Sequence, residues 1–206
     1  GNGPLKRTLA AEVMCSTAST IAGSTYIYLA KYVFDLGDVS SRILFLYFFA
    51  GLLAMPLWMK MAYSIGKHKT LFISALFCSA VLSVYFFIDT NDAFWTIVIL
   101  TTLFGFGYGA PFTLTRALMA DIIDADELRS GEKRPALFFA ILNTLYKIGS
   151  AVAVGSVYLY LEFVGFSSSQ EVGPEIKNSI LLAFSIFPMF LYFFAAMTCW
   201  GYELTP

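Results

Sequence analysis

The sequence predicts an all-α membrane protein built from six transmembrane helices. Three observations carry that expectation. Of its 206 residues, 58% are hydrophobic and only 13% charged, a balance shifted well away from that of ordinary soluble domains. The apolar residues gather into six runs, each near the roughly 20 residues that a helix needs to cross a bilayer. Short polar segments separate the runs and leave no stretch for a soluble domain.

The first span, 10–34, carries Glu12, Ser16, Ser19, Gly23, Tyr26 and Ala30 on one face at helical spacing. Such a face either packs closely against another helix or lines a wet cavity. Tyr26 is the member best suited to touch a solute, because its ring can stack while its hydroxyl hydrogen-bonds. DLGDVSSR marks the turn before the second span, 42–63, and SIGKHKT the turn before the third, 70–88. The lone histidine, His68, lies between Lys67 and Lys69 in that polar connection and is expected to be solvated. DTND at 89–92 leads into the fourth span, 94–120. Here GFGYGAPF places Gly105, Gly107, Gly109 and Pro111 in series. Proline removes a helix hydrogen bond, so this helix is expected to bend or break, with Tyr108 and Phe112 one turn apart at the bend.

Arg116, Asp121 and Asp124 close the fourth span, followed by Asp126, Glu127, Arg129, Glu132, Lys133 and Arg134. Mixed charges at a membrane boundary gate helix movement if they are partly buried and act as a network. As exposed pairs they are worth only about 0–1 kcal/mol each, the ordinary state of a solvated loop. The fifth span, 136–163, holds Asn143, Lys147 and Ser150 at i, i+4 and i+7, a polar stripe on an apolar helix. A lysine this deep costs roughly 2.5–3.5 kcal/mol on insertion scales. A cavity, a partner carboxylate or snorkelling to the headgroups must offset that cost, and the stripe favours a cavity. GFSSSQEVGPEIKN at 165–178 precedes the last span, 179–200.

Basic residues fall unevenly between the two sides. Lys6, Arg7, Lys60, Lys67, Lys69, Arg129, Lys133 and Arg134 share one side, against Arg42 and Lys177 in the opposite loops. The positive-inside rule therefore puts both termini in the cytoplasm of a multi-pass protein of the cell membrane. The opposite loops hold Asp35, Asp38, Asp89, Asp92, Glu171 and Glu175. Cys15, Cys78 and Cys199 are dispersed in apolar segments and read as packing residues. No metal, organic cofactor or nucleic-acid partner is called for, and no nucleophile with a base marks an enzyme. The chain begins GNGPLKRT, with no apolar segment ending in a cleavage site, which reads as an internal start.

The run ADIIDADELRSGEKRPALFF, followed by the stripe ending at Lys147, resembles the signature of the glycoside-pentoside-hexuronide cation symporters, the melibiose permease group of the major facilitator superfamily. GYGAPF, the Ala-Asp-x-x-Asp and the GEKR that follow, and SIGKHKT occur in the order expected for helices seven to twelve of that family. The resemblance implies the C-terminal six-helix half of a transporter that moves a sugar-like small solute together with a cation by alternating access. It places Lys147 and Asn143 of helix eleven and Phe112 of helix ten at the central cavity, near Tyr108. It assigns Asp121, Asp124 and Arg134 to a cytoplasmic gate, to which the charge of Arg116 adds. The coupling cation, Na+ or H+, is expected to bind the missing N-terminal half. Two positions depart from the pattern: Phe112 stands where the melibiose permease has tryptophan, and Pro135-Ala136 replaces Glu-Gly. Competing readings are a transporter of a different solute, including an amphipathic lipid, and a freestanding six-helix channel or scaffold.

Overall fold

A computed structural model describes residues 3–88, 94–167 and 172–200. Six long helices follow one another: α1 (Gly3–Tyr28), α2 (Val39–Ile65), α3 (Lys67–Tyr85), α4 (Phe94–Ser130), α5 (Pro135–Phe163) and α6 (Pro174–Cys199). A π-helical turn, Leu29–Val33, extends α1. Five of the helices are long and apolar enough to cross a membrane. The exception is α1, whose Ser and Thr residues and Glu12 dilute its apolar character.

α1 and α6 begin earlier than expected, at Gly3 and Pro174, and three further departures have local reasons. α4 runs ten residues beyond 120, through the acidic cluster, so the charged junction is mainly helix and only 131–134 connect it to α5. Asp, Glu and Arg are ordinary helix residues once the chain leaves the apolar layer. The glycine-rich stretch remains helical through Pro111 and is not broken. Neighbouring helices hold it in place: the Trp58 indole donates to the Phe106 carbonyl at 2.8 Å, tying α2 to α4. SIGKHKT is scarcely a loop, because Gly66 alone turns the chain between α2 and α3 at φ +95°, a left-handed value that suits glycine. His68 is consequently helical and only 8% exposed, rather than solvated.

α1 packs against α4, α5 and α6, while α4 packs against α2 and α3, and α3 closes onto α6. The helices come close at particular glycines. At Gly105 of α4 a Cβ would stand 2.2 Å from the Tyr47 carbonyl oxygen of α2. At Gly149 of α5 a Cβ would stand 2.8 Å from Ser16 Oγ of α1. The core contains Tyr85, Phe184 and Tyr192, each at most 2% exposed, with the Tyr85 hydroxyl satisfied by Thr101 at 2.7 Å. Cys15, Cys78 and Cys199 are free and buried in these interfaces.

α2 and α5 flank the bundle, and only 22% of each spanning segment is buried, against 50–56% for α3, α4 and α6. Their outer faces expose Phe45, Phe49 and Leu53 on α2 and Val152, Leu159 and Phe163 on α5. Apolar faces of this size need lipid or a second set of helices against them.

Both ends of the chain meet at one end of the bundle, where Arg7 Nη1 donates to the Trp200 carbonyl at 2.9 Å. That end also collects Lys67, Arg129, Lys133 and Arg134. Asp89, Asp92 and Glu171, expected at the opposite end, lie outside the described residues, as does Ser168 of the last loop. The charge bias predicts the sidedness. A cysteine at exposed Ser41 should react with an impermeant maleimide on intact cells, and one at exposed Ser130 only after permeabilisation. The native cysteines are buried and give low background; the opposite labelling pattern would invert the topology.

Candidate functional site

Glu12 is the least expected residue of the bundle: a carboxylate inside the helix packing of α1, 2% exposed. Its burial is tolerated because both oxygens are engaged. Thr115 Oγ1 donates to Glu12 Oε2 at 2.5 Å, and Arg116 Nη1 pairs with Glu12 Oε1 at 3.2 Å. Consecutive residues of α4 thus grip one side chain of α1, which fixes the angle between those helices.

Arg116 is itself held from several directions. Nη1 donates to the Phe112 carbonyl at 2.9 Å, and Nη2 reaches Asn143 Oδ1 of α5 at 3.4 Å. The guanidinium carbon lies 3.4 Å from the Phe112 ring centre and 5.7 Å from that of Tyr146. A planar, weakly hydrated cation is well suited to such aromatic stacking. Phe112 and Tyr146 meet edge to face at 5.9 Å. One turn beyond Asn143 on α5, Lys147 is exposed and makes no hydrogen bond or ion pair among the described residues. Ser150, the third residue of the stripe, turns toward α1, where Thr20 Oγ1 donates to it at 3.1 Å.

The cleft at Glu12, Ser19, Tyr108, Phe112 and Tyr146 has a volume of about 20 Å³, room for little more than one water. A solute therefore cannot be enclosed by these helices alone. It can lie on their open face, where Arg116, Asn143 and Lys147 supply donors and Phe112 and Tyr146 supply ring surface.

The sequence-predicted residues separate into three groups. Phe112 and Asn143 both meet Arg116, Lys147 lies one turn beyond Asn143 on α5, and Tyr108 stands at the edge of the cleft. Arg116, expected at the cytoplasmic gate, stands with them instead, more than a helical turn before Asp121. Tyr26 lines a separate cavity, and its hydroxyl donates to the Ser40 carbonyl at 3.1 Å. The gate residues do not form one network. Asp121 pairs with Lys67 at 2.6 Å, joining α4 to the start of α3, and Lys67 also donates to the Ala117 carbonyl at 3.3 Å. Arg134 pairs locally with Asp126 and Glu132, each at 3.4 Å. Asp124 is exposed without an ion pair among the described residues. These pairs are partly to well exposed, so each contributes at most about 1 kcal/mol.

The sequence did not single out Thr115, Tyr146 and Lys67 as functional, and it gave Glu12 only as one member of a face that packs or lines a cavity. A carboxylate just inside an apolar run was a visible signal. Nothing in the sequence pairs it with residues more than 100 positions away.

The family model for MFS/sugar transport proteins matches residues 1–206. The chain belongs to the major facilitator superfamily. Within it, the relatives point to the glycoside-pentoside-hexuronide cation symporters. The chain is 25% identical over 195 residues to an Escherichia coli protein carrying the name glycoside/cation symporter YagG, covering 93% of this chain and 42% of that protein. It is 24% identical over 197 residues to the glucuronide carrier protein homolog of E. coli, at 93% and 42% coverage. It is also 23% identical over 183 residues to the sodium-dependent lysophosphatidylcholine symporter 1-A of Danio rerio, at 88% and 34% coverage. The chain thus spans about a third to two fifths of the length of these symporters.

Proposed function

We propose that this chain forms the second six-helix half of a cation-coupled symporter for a sugar or glycoside, with the solute bound on the face formed by α1, α4 and α5. The observation that carries this reading is the buried Glu12–Arg116 pair, with Asn143 attached and Lys147 exposed one turn away. Glu12 holds the guanidinium in place, so its remaining donors reach the open face without the entropy cost that a loose arginine carries. Donors from Arg116, Asn143 and Lys147 suit a solute rich in hydroxyls or bearing a carboxylate, while Phe112 and Tyr146 offer rings for its apolar face. Among the described residues of this face, Glu12 is already occupied by Thr115 and Arg116 and is not free to take a cation. Cation coupling on this reading belongs to helices outside this chain, which would cover the exposed flanks of α2 and α5. Alternating access would follow from rocking one six-helix unit against the other around the solute.

An amphipathic lipid is the second reading. A groove of about 380 Å³ between α5 and α6, walled by Val157, Tyr160, Phe187, Phe190 and Phe194, suits a hydrocarbon chain.

One experiment separates them. The complete transporter, reconstituted in vesicles with a Na+ or H+ gradient, should accumulate a methyl or p-nitrophenyl galactoside, glucoside or glucuronide. Lys147→Ala should lower that uptake about tenfold or more while membrane insertion is retained. Gradient-driven uptake of lysophosphatidylcholine, with no glycoside uptake, would overturn the sugar reading in favour of the lipid.

A further inference from the structure

A second cavity, of about 170 Å³, adjoins the Glu12 cleft between α1, α2 and α4. Ser19 and Tyr108 line both spaces, so the two lie side by side. Resting on the glycoside reading, we propose that this cavity receives an aromatic aglycone, a single six-membered ring carried by the sugar, and that it makes aryl glycosides better substrates than alkyl glycosides of the same sugar.

Size and wall chemistry both select that occupant. At about 170 Å³ the space suits one ring rather than an extended chain. Phe48, Phe104 and Leu44 supply apolar wall. The Tyr47 and Tyr108 rings stand 5.2 Å apart at 40°, and Tyr47 lies 5.7 Å from Phe104, leaving ring edges and faces for a further aromatic to pack on.

The hydroxyl groups decide against a second sugar. Tyr26 donates to the Ser40 carbonyl, Ser19 donates to the Ser16 carbonyl at 3.0 Å, and Thr101 is engaged with Tyr85. Only the hydroxyls of Tyr47 and Tyr108 make no hydrogen bond among the described residues, and neither is sealed away from the surface. Two free hydroxyls can serve one polar substituent on a ring. They supply only two donors for the several hydroxyl oxygens of a hexose, most of which would leave water on entry without gaining a new donor.

Gly23 provides the test, because it lines this cavity and a Cβ there meets no atom within 4 Å. Its backbone is helical, so a larger side chain at this exposed lining position is accommodated without strain. With the complete transporter in membranes, KM is measured for p-nitrophenyl and methyl glycosides of whichever sugar among galactose, glucose and glucuronic acid is taken up. The expected KM for the aryl glycoside is about tenfold lower. Gly23→Ala should keep most of that advantage, and Gly23→Leu should bring the ratio toward one. Equal KM values in the unaltered protein, or an unchanged ratio in Gly23→Leu, would overturn the subsite while leaving glycoside transport intact. Uptake of neither glycoside would overturn the parent reading and the subsite together. Should Gly23→Leu fail to reach the membrane, Tyr47→Phe decides instead: it must raise the KM for p-nitrophenyl relative to phenyl glycoside, and no change would overturn the proposal.

Discussion

Arg116→Ala is expected to destabilise the bundle by about 3–5 kcal/mol, the usual cost of stranding one member of a buried ion pair. The damage comes less from the lost attraction than from Glu12, 2% exposed in the intact bundle, which would be left with no cation beside it. The thermal midpoint of the purified protein should fall, with the yield of folded material. Adding Glu12→Gln should recover much of the stability, because a neutral amide can keep the Thr115 contact. Transport should not recover, since the donors facing the solute are still missing. The two substitutions would then be strongly non-additive in stability. Equal stability of Arg116→Ala and the unaltered protein would mean that Glu12 is protonated or water-solvated and needs no arginine.

Gly105→Ala should be the most damaging glycine-to-alanine change among the described glycines. The new Cβ would stand 2.2 Å from the Tyr47 carbonyl oxygen and 2.8 Å from the Tyr47 Cα. Backbone cannot rotate out of the way as a side chain can, so α2 must move off α4. Overpacking of this kind costs about 1–3 kcal/mol and sometimes more, against a gain of up to about 1 kcal/mol from replacing a helical glycine. Gly155→Ala supplies the control, because a Cβ there meets nothing within 4 Å. Thermal unfolding in detergent should show Gly105→Ala destabilised and Gly155→Ala neutral or stabilised. Equal midpoints would mean that the α2–α4 contact is looser than described.

Much of the fold was legible because a bilayer imposes one length on every helix. The second, third, fifth and sixth spans follow directly from apolar runs punctuated by Gly, Pro and charge. The extension of α4 was not legible. Its last ten residues are polar, and hydropathy reports where the membrane ends rather than where a helix ends. Gly66 misled in the other direction: a cluster of lysines around His68 looked like a loop, yet one left-handed glycine suffices to reverse the chain.

The site divided along similar lines. Asn143 and Lys147 were visible because helical spacing put two polar residues on one face of an apolar helix. Arg116 was misplaced because charges adjacent in sequence suggest one cluster. Within a helix, five residues separate it from Asp121 by about 7.5 Å of rise. That distance is enough for Asp121 to meet Lys67 at the boundary while Arg116 reaches inward to Glu12. Pairings between α1 and α4 are decided by tertiary packing, which spacing along the chain does not encode.

Lys147 gives the most direct test of where the solute binds. It is exposed on the open face and pairs with nothing among the described residues, so removing it should disturb little but the solute. Equilibrium binding of the transported glycoside to purified, complete transporter should weaken about tenfold or more in Lys147→Ala, with an unchanged thermal midpoint. An unchanged Kd would contradict the account, because it would place the solute away from the α1, α4 and α5 face.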